Sequence, residues 1–279
     1  MQYILYNPLA NNSTGEKSTH DYLEGKLTGD AEYKDLTKLD LKEFIAALTA
    51  EDRVILSGGD GTINNFVNDI DGVEPVCDLD YIPTGNGNDF MHDVGMDGDF
   101  IHLKKYLKNL PTVTVNGMTK KFINGIGYGI DGYCCEEGDR QKQISTKKVN
   151  YTSIAINGLL FKFKPRSAII TVDGQELSYK KVWIAASMKG KYYGGGMKIA
   201  PGQDRFNEDG TLSLVVWHST GRLGTLIRFP KVFTGAHVKY TKLIKIVTGK
   251  NITVKFNLPT ALQIDGETVL NVTEYTVHA

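Results

Sequence analysis

The sequence has few cysteines, no long apolar segment and no excess of charge. Its 279 residues include three cysteines, Cys77, Cys134 and Cys135, of which two are adjacent and none has CxxC spacing. This pattern disfavours a disulfide framework or a zinc site and favours a reducing compartment. The chain has no run of 18 apolar residues, and its first residues lack the basic and apolar regions of a secretory signal. We therefore expect a cytoplasmic protein.

Charge and size set further bounds on the class of protein. Lysine plus arginine and aspartate plus glutamate each number 32, so the formal net charge is +0. Without a net positive charge the protein has no overall electrostatic attraction for nucleic acid, which is therefore not an expected partner. The length suits one large or two modest domains, and the 41% hydrophobic content is enough for real cores. A homodimer is an open alternative to a monomer.

The most informative stretch is residues 53–62, RVILSGGDGT, which precedes an apolar pattern of helical spacing from Ile63. A run of β-formers that ends in glycines before a helix predicts a strand, a tight loop and a helix. Such a loop lets phosphate approach the N–H groups at the start of the helix. Asp60 needs a cation or a proton between its carboxylate and the phosphates, as in phosphoryl transfer. The alternative is a glycine-rich turn with an exposed aspartate. The candidate phosphate-binding residues are Gly58, Gly59, Gly61 and Thr62.

Two more polar loops follow predicted strands. Asn7 follows a strand at 3–6, and the loop from Thr84 to Asp89 follows a strand at 79–82. Strands that alternate with helices predict a doubly wound parallel sheet, and the loops at its carboxyl edge converge on one crevice. Asp89 would bring a second carboxylate near Asp60. A polar connector with Asx-turns is the alternative for the second loop. Its candidate nucleotide-binding residues are Thr84, Gly85, Asn86 and Asn88.

From about residue 112 the pattern changes to short strand-like segments separated by turn residues. They predict a mostly antiparallel second domain packed as a β-sandwich, and therefore an α/β plus β protein with domains at 1–112 and 113–269. The segments are 113–115, 122–123, 168–172, 182–184, 212–216 and 252–254.

Several motifs resemble the diacylglycerol kinase catalytic-domain family, which includes bacterial soluble lipid kinases and sphingosine kinases. Residues 57–62, SGGDGT, look like the GGDGT signature of the family, and residues 83–90, PTGNGNDF, resemble its second loop. Asn7-Pro8 matches its first-strand NP, although the glycine that usually follows closely is displaced here to Gly15. The resemblance implies the same two-domain architecture with the active site in the interdomain cleft. It also allows the last strand, near 270–279, to return to the first domain.

The same resemblance implies the catalytic residues. Residues 263–267, QIDGE, resemble a late D-G-E of the family, so Asp265 would be the base that accepts the proton of the acceptor hydroxyl. Glu267, with Asp60 and Asp89, would position magnesium. Pattern alone does not separate this motif from residues 172–176, VDGQE, which have the composition of a hairpin turn.

Two more aspartates are weaker candidates. Asp209 lies in a segment that resembles the DG-x-L region of the family and could hold magnesium with neighbouring carbonyl groups, although an Asp-Gly hairpin turn is an equal alternative. Asp131 ends a glycine-dense segment, 124–131, that resembles the N-x-x-G-x-G-x-D of the family, and it could face the cleft or lie in a turn.

A basic and apolar stretch indicates where a lipid acceptor could be reached. Residues 140–171 contain seven basic residues and no acid, with an apolar run from 154 to 163. A helix with an apolar face and basic flanks can lie on an anionic membrane surface. The alternative is a helix that covers the sandwich and has solvated lysines. The basic residues are Arg140, Lys142, Lys147, Lys148, Lys162, Lys164 and Arg166.

These expectations combine into an ATP-dependent, magnesium-dependent lipid kinase of phospholipid metabolism. It would transfer the γ-phosphoryl group to the hydroxyl of a diacylglycerol-like lipid while associated with the membrane surface. A related kinase with a soluble acceptor, similar to NAD kinase, and a nucleotide- or lipid-binding regulator without turnover are the alternatives.

Overall fold

The computed structural model describes residues 1–145 and 149–279, and the chain divides into two compact units. The first unit is Met1–Leu110 and the second is Pro111–Ala279. The sequence predicted a boundary after residue 112, which lies in the first strand of the second unit.

The first unit is an α/β domain built on a five-stranded sheet with the order β2-β1-β3-β4-β5. The first four strands are parallel, and the short β5 runs antiparallel to β4. The strands are β1 (Gln2–Tyr6), β2 (Ala31–Asp35), β3 (Arg53–Gly58), β4 (Asp78–Pro83) and β5 (Ile101–His102). The helices are α1 (Ala10–Ser13), α2 (Gly15–Leu23), α3 (Leu41–Ala46), α4 (Asp60–Asp69) and α5 (Asp89–Val94). The predicted parallel α/β domain is confirmed.

The inner strands of this sheet are apolar because helices cover both faces of a parallel sheet. Ile4 in β1 and Ile55 in β3 are fully buried. The Asp40 carboxylate accepts a hydrogen bond from the Glu43 N–H at 3.0 Å, so Asp40 is the N-cap of α3.

The second unit is a ten-stranded sheet in which every described strand pairing is antiparallel, as predicted. Its main path is β13-β12-β11-β8-β14-β15-β6-β7, and β9 joins β10 to β14. The long β14 pairs with β9 through its first half and with β8 through its last residues. The strands are β6 (Thr112–Val115), β7 (Met118–Lys121), β8 (Gly125–Gly129), β9 (Arg166–Val172), β10 (Gln175–Val182), β11 (Ile184–Met188), β12 (Leu212–Trp217), β13 (Ile244–Gly249), β14 (Asn251–Ile264) and β15 (Glu267–His278).

Three α-helices accompany this sheet in the described residues: α6 (Ile130–Ile144), α7 (Tyr151–Asn157) and α8 (Arg222–Arg228). A π-helical turn, Gly158–Lys162, extends α7. Its Leu159, with the following Phe163, packs against Trp183 in one buried apolar cluster. The predicted helix of the apolar stretch is therefore present, and much of its apolar face covers the sheet.

Two expectations differ from the structure. The last strand does not return to the first unit, because β15 pairs with β14 and β6 of the second unit. Phe122 and Ile123, predicted as a strand, lie between β7 and β8. The backbone N–H of Ile123 bonds to the Asp265 carboxylate instead of a strand neighbour.

Candidate active site

The two predicted glycine loops of the first unit lie against each other. Gly85 N–H donates to the Gly58 carbonyl at 3.0 Å, and a Cβ on Gly85 would stand 2.3 Å from the Cα of Gly59. A Cβ on Gly58 would stand 2.2 Å from the hydroxyl oxygen of Thr62. Both positions therefore require glycine for close packing. The loops after β3 and β4 converge as the sequence predicted.

Hydroxyl groups hold these loops from within the unit. The Ser57 hydroxyl lies 2.6 Å from that of Thr19 and 2.9 Å from that of Thr84. The buried Tyr81 donates its hydroxyl to the Gly58 carbonyl at 2.9 Å, and burial raises the pKa of Tyr81 well above its usual value. Thr84, predicted to bind nucleotide, thus supports the first loop through Ser57.

Asp60 joins the two loops. Its carboxylate oxygens accept the N–H groups of Asp89 at 2.9 Å and Phe90 at 2.8 Å, at the start of α5. This capping fixes the orientation of the Asp60 carboxylate beside the start of α5. The structure therefore brings Asp60 and Asp89, two predicted magnesium ligands, next to each other, and their hard oxygens suit that ion.

The start of α4 offers donors for an anion. In the part of the chain that the structure describes, the N–H groups of Gly59 and Gly61 have no hydrogen-bond partner, and both residues are partly exposed. They lie at the positive end of a helix of ten residues. This loop can accept phosphate oxygens without rearrangement.

The asparagines have different roles. Asn7 accepts the Leu9 N–H on its side-chain oxygen at 2.9 Å and so closes the turn after β1. A Cβ on Gly15 would stand 1.9 Å from the Asn7 carbonyl oxygen, so the displaced glycine still packs against the end of β1. Asn88 has a left-handed backbone and donates its amide to the Pro83 and Gly85 carbonyls, which shapes its own loop. Asn86 is exposed.

In the second unit, Asp265 and its sequence counterpart Asp173 form the same turn. Asp265-Gly266 connects β14 to β15, Asp173-Gly174 connects β9 to β10, and all four residues have positive φ, as in a two-residue type I′ hairpin. The Asp173 carboxylate accepts the N–H groups of Lys250 and Asn251 and is exposed.

Asp265 differs from Asp173 in its burial and in the segment that it binds. Its carboxylate is 6% exposed and accepts the N–H groups of Ile123 at 2.6 Å, Asn124 at 2.9 Å and Gly125 at 2.8 Å. The loop before β8 is thereby fixed to the β14–β15 turn.

The other two predicted magnesium ligands are on the surface of the second unit. Glu267 lies 3.2 Å from the Lys120 ammonium, and Asp209 is exposed in a turn that Asn207 closes by accepting the Thr211 N–H at 2.8 Å. This turn precedes β12, but the described residues 189–211 contain no strand element that would make it a hairpin turn. Across residues 1–145 and 149–279, no three His, Cys, Asp or Glu side chains form a metal-binding group.

Asp131 is more deeply buried than the sequence predicted. It lies in the first turn of α6, not in a loop turn, and it is 7% exposed. Within the described residues neither carboxyl oxygen has a hydrogen-bond partner, and burial raises its pKa to about 7. The nearby Tyr193 hydroxyl opposes this shift without forming a hydrogen bond. A Cβ on Gly127 would stand 1.8 Å from Asp131 Oδ2, so this glycine makes room for the carboxyl group.

Arg205 is a residue that sequence reasoning missed. It is buried, and its guanidinium donates to the Ile123 carbonyl and, at 3.0 Å, to the side-chain oxygen of Asn124. Arg205 and Asp265 therefore hold the same short loop. No local pattern indicates this, because the bonded residues are about eighty positions apart in the sequence.

Comparison with known proteins identifies the family. Residues 2–119 match the model described as "Diacylglycerol kinase catalytic domain", and residues 124–276 match "YegS C-terminal NAD kinase beta sandwich-like domain". The chain belongs to the diacylglycerol kinase catalytic-domain family. It is therefore a phosphotransferase of a lipid kinase family, for which ATP is the implied co-substrate.

Relatives of this kinase family cover most of the chain. A protein named diacylglycerol kinase from Mycobacterium tuberculosis is 27% identical, over 91% of this chain and 84% of its own length. One of the same name from Bacillus subtilis is 25% identical, over 80% and 73%. A crystal structure of a diacylglycerol kinase from Bacillus anthracis superposes with a TM-score of 0.67 at 22% identity, over 99% of this chain and 93% of that chain, which shows the shared fold. None of the described helices has the length and apolarity needed to cross a membrane.

Proposed function

We propose that the protein is an ATP- and magnesium-dependent kinase that phosphorylates the hydroxyl group of a diacylglycerol-like lipid. The observation that carries this proposal is the junction of the two glycine loops in the first unit. Two unbonded N–H groups at the start of α4 adjoin a carboxylate, Asp60, that bonds to the start of α5. This combination suits a polyphosphate and its cation better than it suits a neutral ligand.

In this proposal the first unit binds the nucleotide. The N–H groups of Gly59 and Gly61 donate to phosphate oxygens, and Asp60 with Asp89 holds the cation. Magnesium, when bound, neutralises charge on the phosphates. Because the loops meet through glycine backbone and are braced by the hydroxyl groups of Ser57 and Thr84, they position the phosphates with little reorganisation.

The second unit supplies the proposed base. The three backbone N–H groups on Asp265 fix the orientation of its carboxylate, two of them on Oδ1 and one on Oδ2. In this proposal the carboxylate accepts the proton of the acceptor hydroxyl. Glu267 as a further magnesium ligand stays a prediction, as do Asp209 and the homodimer.

The names of the relatives from Mycobacterium tuberculosis and Bacillus subtilis support a diacylglycerol acceptor. The exposed aromatic side chains of Tyr151 and Phe161, together with the basic residues around them, favour peripheral membrane association of a cytoplasmic enzyme. Lys147 and Lys148, part of the predicted basic stretch, lie outside the described residues. A soluble acceptor is the competing proposal.

The decisive experiment supplies γ-labelled ATP and magnesium with diacylglycerol in mixed micelles or with NAD. We expect label in the lipid product. Asp265→Asn should lower kcat by about 10²- to 10⁴-fold while ATP binding is retained. Asp173→Asn is the matched control, because it removes a carboxylate from the same type of turn, and it should keep near-normal activity.

Other results would support one of the alternatives or exclude the proposed base. Label in NADP alone would establish the soluble-acceptor alternative, and ATP binding without any transfer would indicate the regulator. Equal activity of the two variants would remove Asp265 from the mechanism.

A further inference from the structure

A cavity of about 210 Å³ lies in the second unit, between the end of the π-helical turn, the start of β9 and the irregular middle of β14. The lining includes Lys162, Lys164, Arg166, Glu136, Thr260 and Tyr133. None of these residues belongs to the proposed nucleotide or base site.

The three basic residues of this cavity form no close ion pair in the described part of the chain. Among the residues that the structure describes, Lys162 and Lys164 form no ion pair, and Arg166 donates only its Nε–H, to the Thr260 hydroxyl at 3.0 Å. By contrast, Arg140 and Lys142 of the same basic stretch are paired with Glu137 and Asp139. Among the described basic residues of this stretch, those without a close ion pair are therefore the three that line the cavity.

The lining also orients these cations. Phe163 is buried and the helical stretch ends at Lys162, so Lys164 lies in the short segment before β9 and Arg166 is the first residue of that strand. The Arg166 guanidinium lies 5.9 Å from the centre of the Phe163 ring, and its terminal N–H groups are available to a ligand. An arginine fork held in this way suits the oxygens of a phosphate group.

Charge and volume define the ligand more closely. Three cations and the single carboxylate of Glu136 leave a net charge of +2, which complements a phosphate monoester carrying about −1.5 to −2 near neutral pH. The cavity volume corresponds to about seven waters, enough for a phosphate group and the polar atoms attached to it.

The surroundings favour a lipid as the source of this phosphate. Phe161, next to Lys162, is 70% exposed, and Leu258, next to the lining residue Pro259, is 51% exposed. Apolar side chains beside a cationic cavity suit insertion into a bilayer surface, where headgroup phosphates are present.

We propose that this cavity binds the phosphate monoester headgroup of a membrane lipid and thereby anchors the second unit to the membrane. The inference rests on the proposed function only in that a lipid kinase makes such a monoester as its product. Lipid binding can be measured without ATP, so its failure is distinguishable from failure of the kinase activity.

The test measures sedimentation of the full chain with vesicles of phosphatidylcholine alone, with added phosphatidic acid, or with oleate at the same surface charge. We expect the tightest binding to phosphatidic acid. Lys164→Gln and Arg166→Gln should each weaken that binding about fivefold, and the double variant about 25-fold. Lys245→Gln is the matched control, because it removes an exposed lysine of the same unit that does not line the cavity.

Four results would contradict the proposal. Equal weakening by Lys245→Gln, or equal binding to oleate vesicles, would mean that general surface charge accounts for the attraction. Calorimetric binding of glycerol 3-phosphate with no preference for phosphatidic acid vesicles would assign the cavity to a soluble phosphate ester. If Arg166→Lys binds phosphatidic acid vesicles more tightly than Arg166→Gln but less tightly than the wild type, the planar fork contributes to binding. If Arg166→Lys binds them as tightly as the wild type, the proposed role of the fork is contradicted.

Discussion

Replacement of Asp131 by asparagine tests whether the buried carboxyl group of α6 makes stability depend on pH. Burial raises its pKa from 3.8 to about 7, because its charged form loses water without gaining a hydrogen-bond partner in the described residues. One pKa unit corresponds to about 1.4 kcal/mol, so the full difference between folded and unfolded chains is about 4 kcal/mol.

The direction of the effect follows from the raised pKa. Below about pH 4 the carboxyl group is protonated in both states and the stabilising difference is fully present. Between about pH 4 and pH 7 the unfolded chain releases its proton first, so the free energy of unfolding falls by about 4 kcal/mol from this group. The asparagine variant does not titrate and should lack this fall, whatever constant offset the buried amide introduces.

Tryptophan fluorescence gives a direct assay, because the only two tryptophans, Trp183 and Trp217, are buried in the second unit with Asp131. Urea unfolding would be measured across this pH range for the wild type, Asp131→Asn and Glu136→Gln. The last variant removes an exposed carboxylate of the same helix and should parallel the wild type. If the Asp131→Asn curve also parallels the wild type, the carboxyl group is not held in an apolar environment and the reasoning fails.

Three further substitutions test the contacts within the two units. Gly85→Ala should destabilise the first unit by about 1–3 kcal/mol and weaken ATP binding, because its Cβ would stand 2.3 Å from the Cα of Gly59. Gly61→Ala has open space around its Cβ and should leave the urea midpoint, followed by circular dichroism, unchanged or higher. Arg205→Lys should destabilise the second unit by about 2 kcal/mol in the fluorescence assay, because lysine cannot reproduce both hydrogen bonds to the loop at 123–124. An unchanged midpoint would show that this loop does not depend on the guanidinium.

The local features of this chain were predictable from sequence. The glycines of the first loop mark the end of β3 and the start of α4, because they interrupt a run of β-formers just before helical periodicity begins. The convergence of Asp60 and Asp89 followed from the parallel sheet, whose carboxyl ends share one edge.

Long-range burial was not predictable in the same way. Asp265 and Asp173 have nearly the same neighbours in sequence and form the same turn, yet only Asp265 is buried, because the loop at 123–125 folds over it. The burial of Asp131 and the role of Arg205 were not predicted for the same reason: distant strands, not adjacent residues, determine their environment.

The position of β15 has a consequence for how the chain folds. Its residues Tyr275–His278 pair with β6, at the opposite end of the second unit in sequence, whereas all strands of the first unit lie within the first 102 residues. Contacts of such long sequence separation form slowly, and domains fold as units during synthesis. The first unit can therefore acquire its sheet while the ribosome is still making the second. The second unit, with its β6 edge unpaired, must wait for the last strand, and during that interval it is the part of the chain most exposed to aggregation.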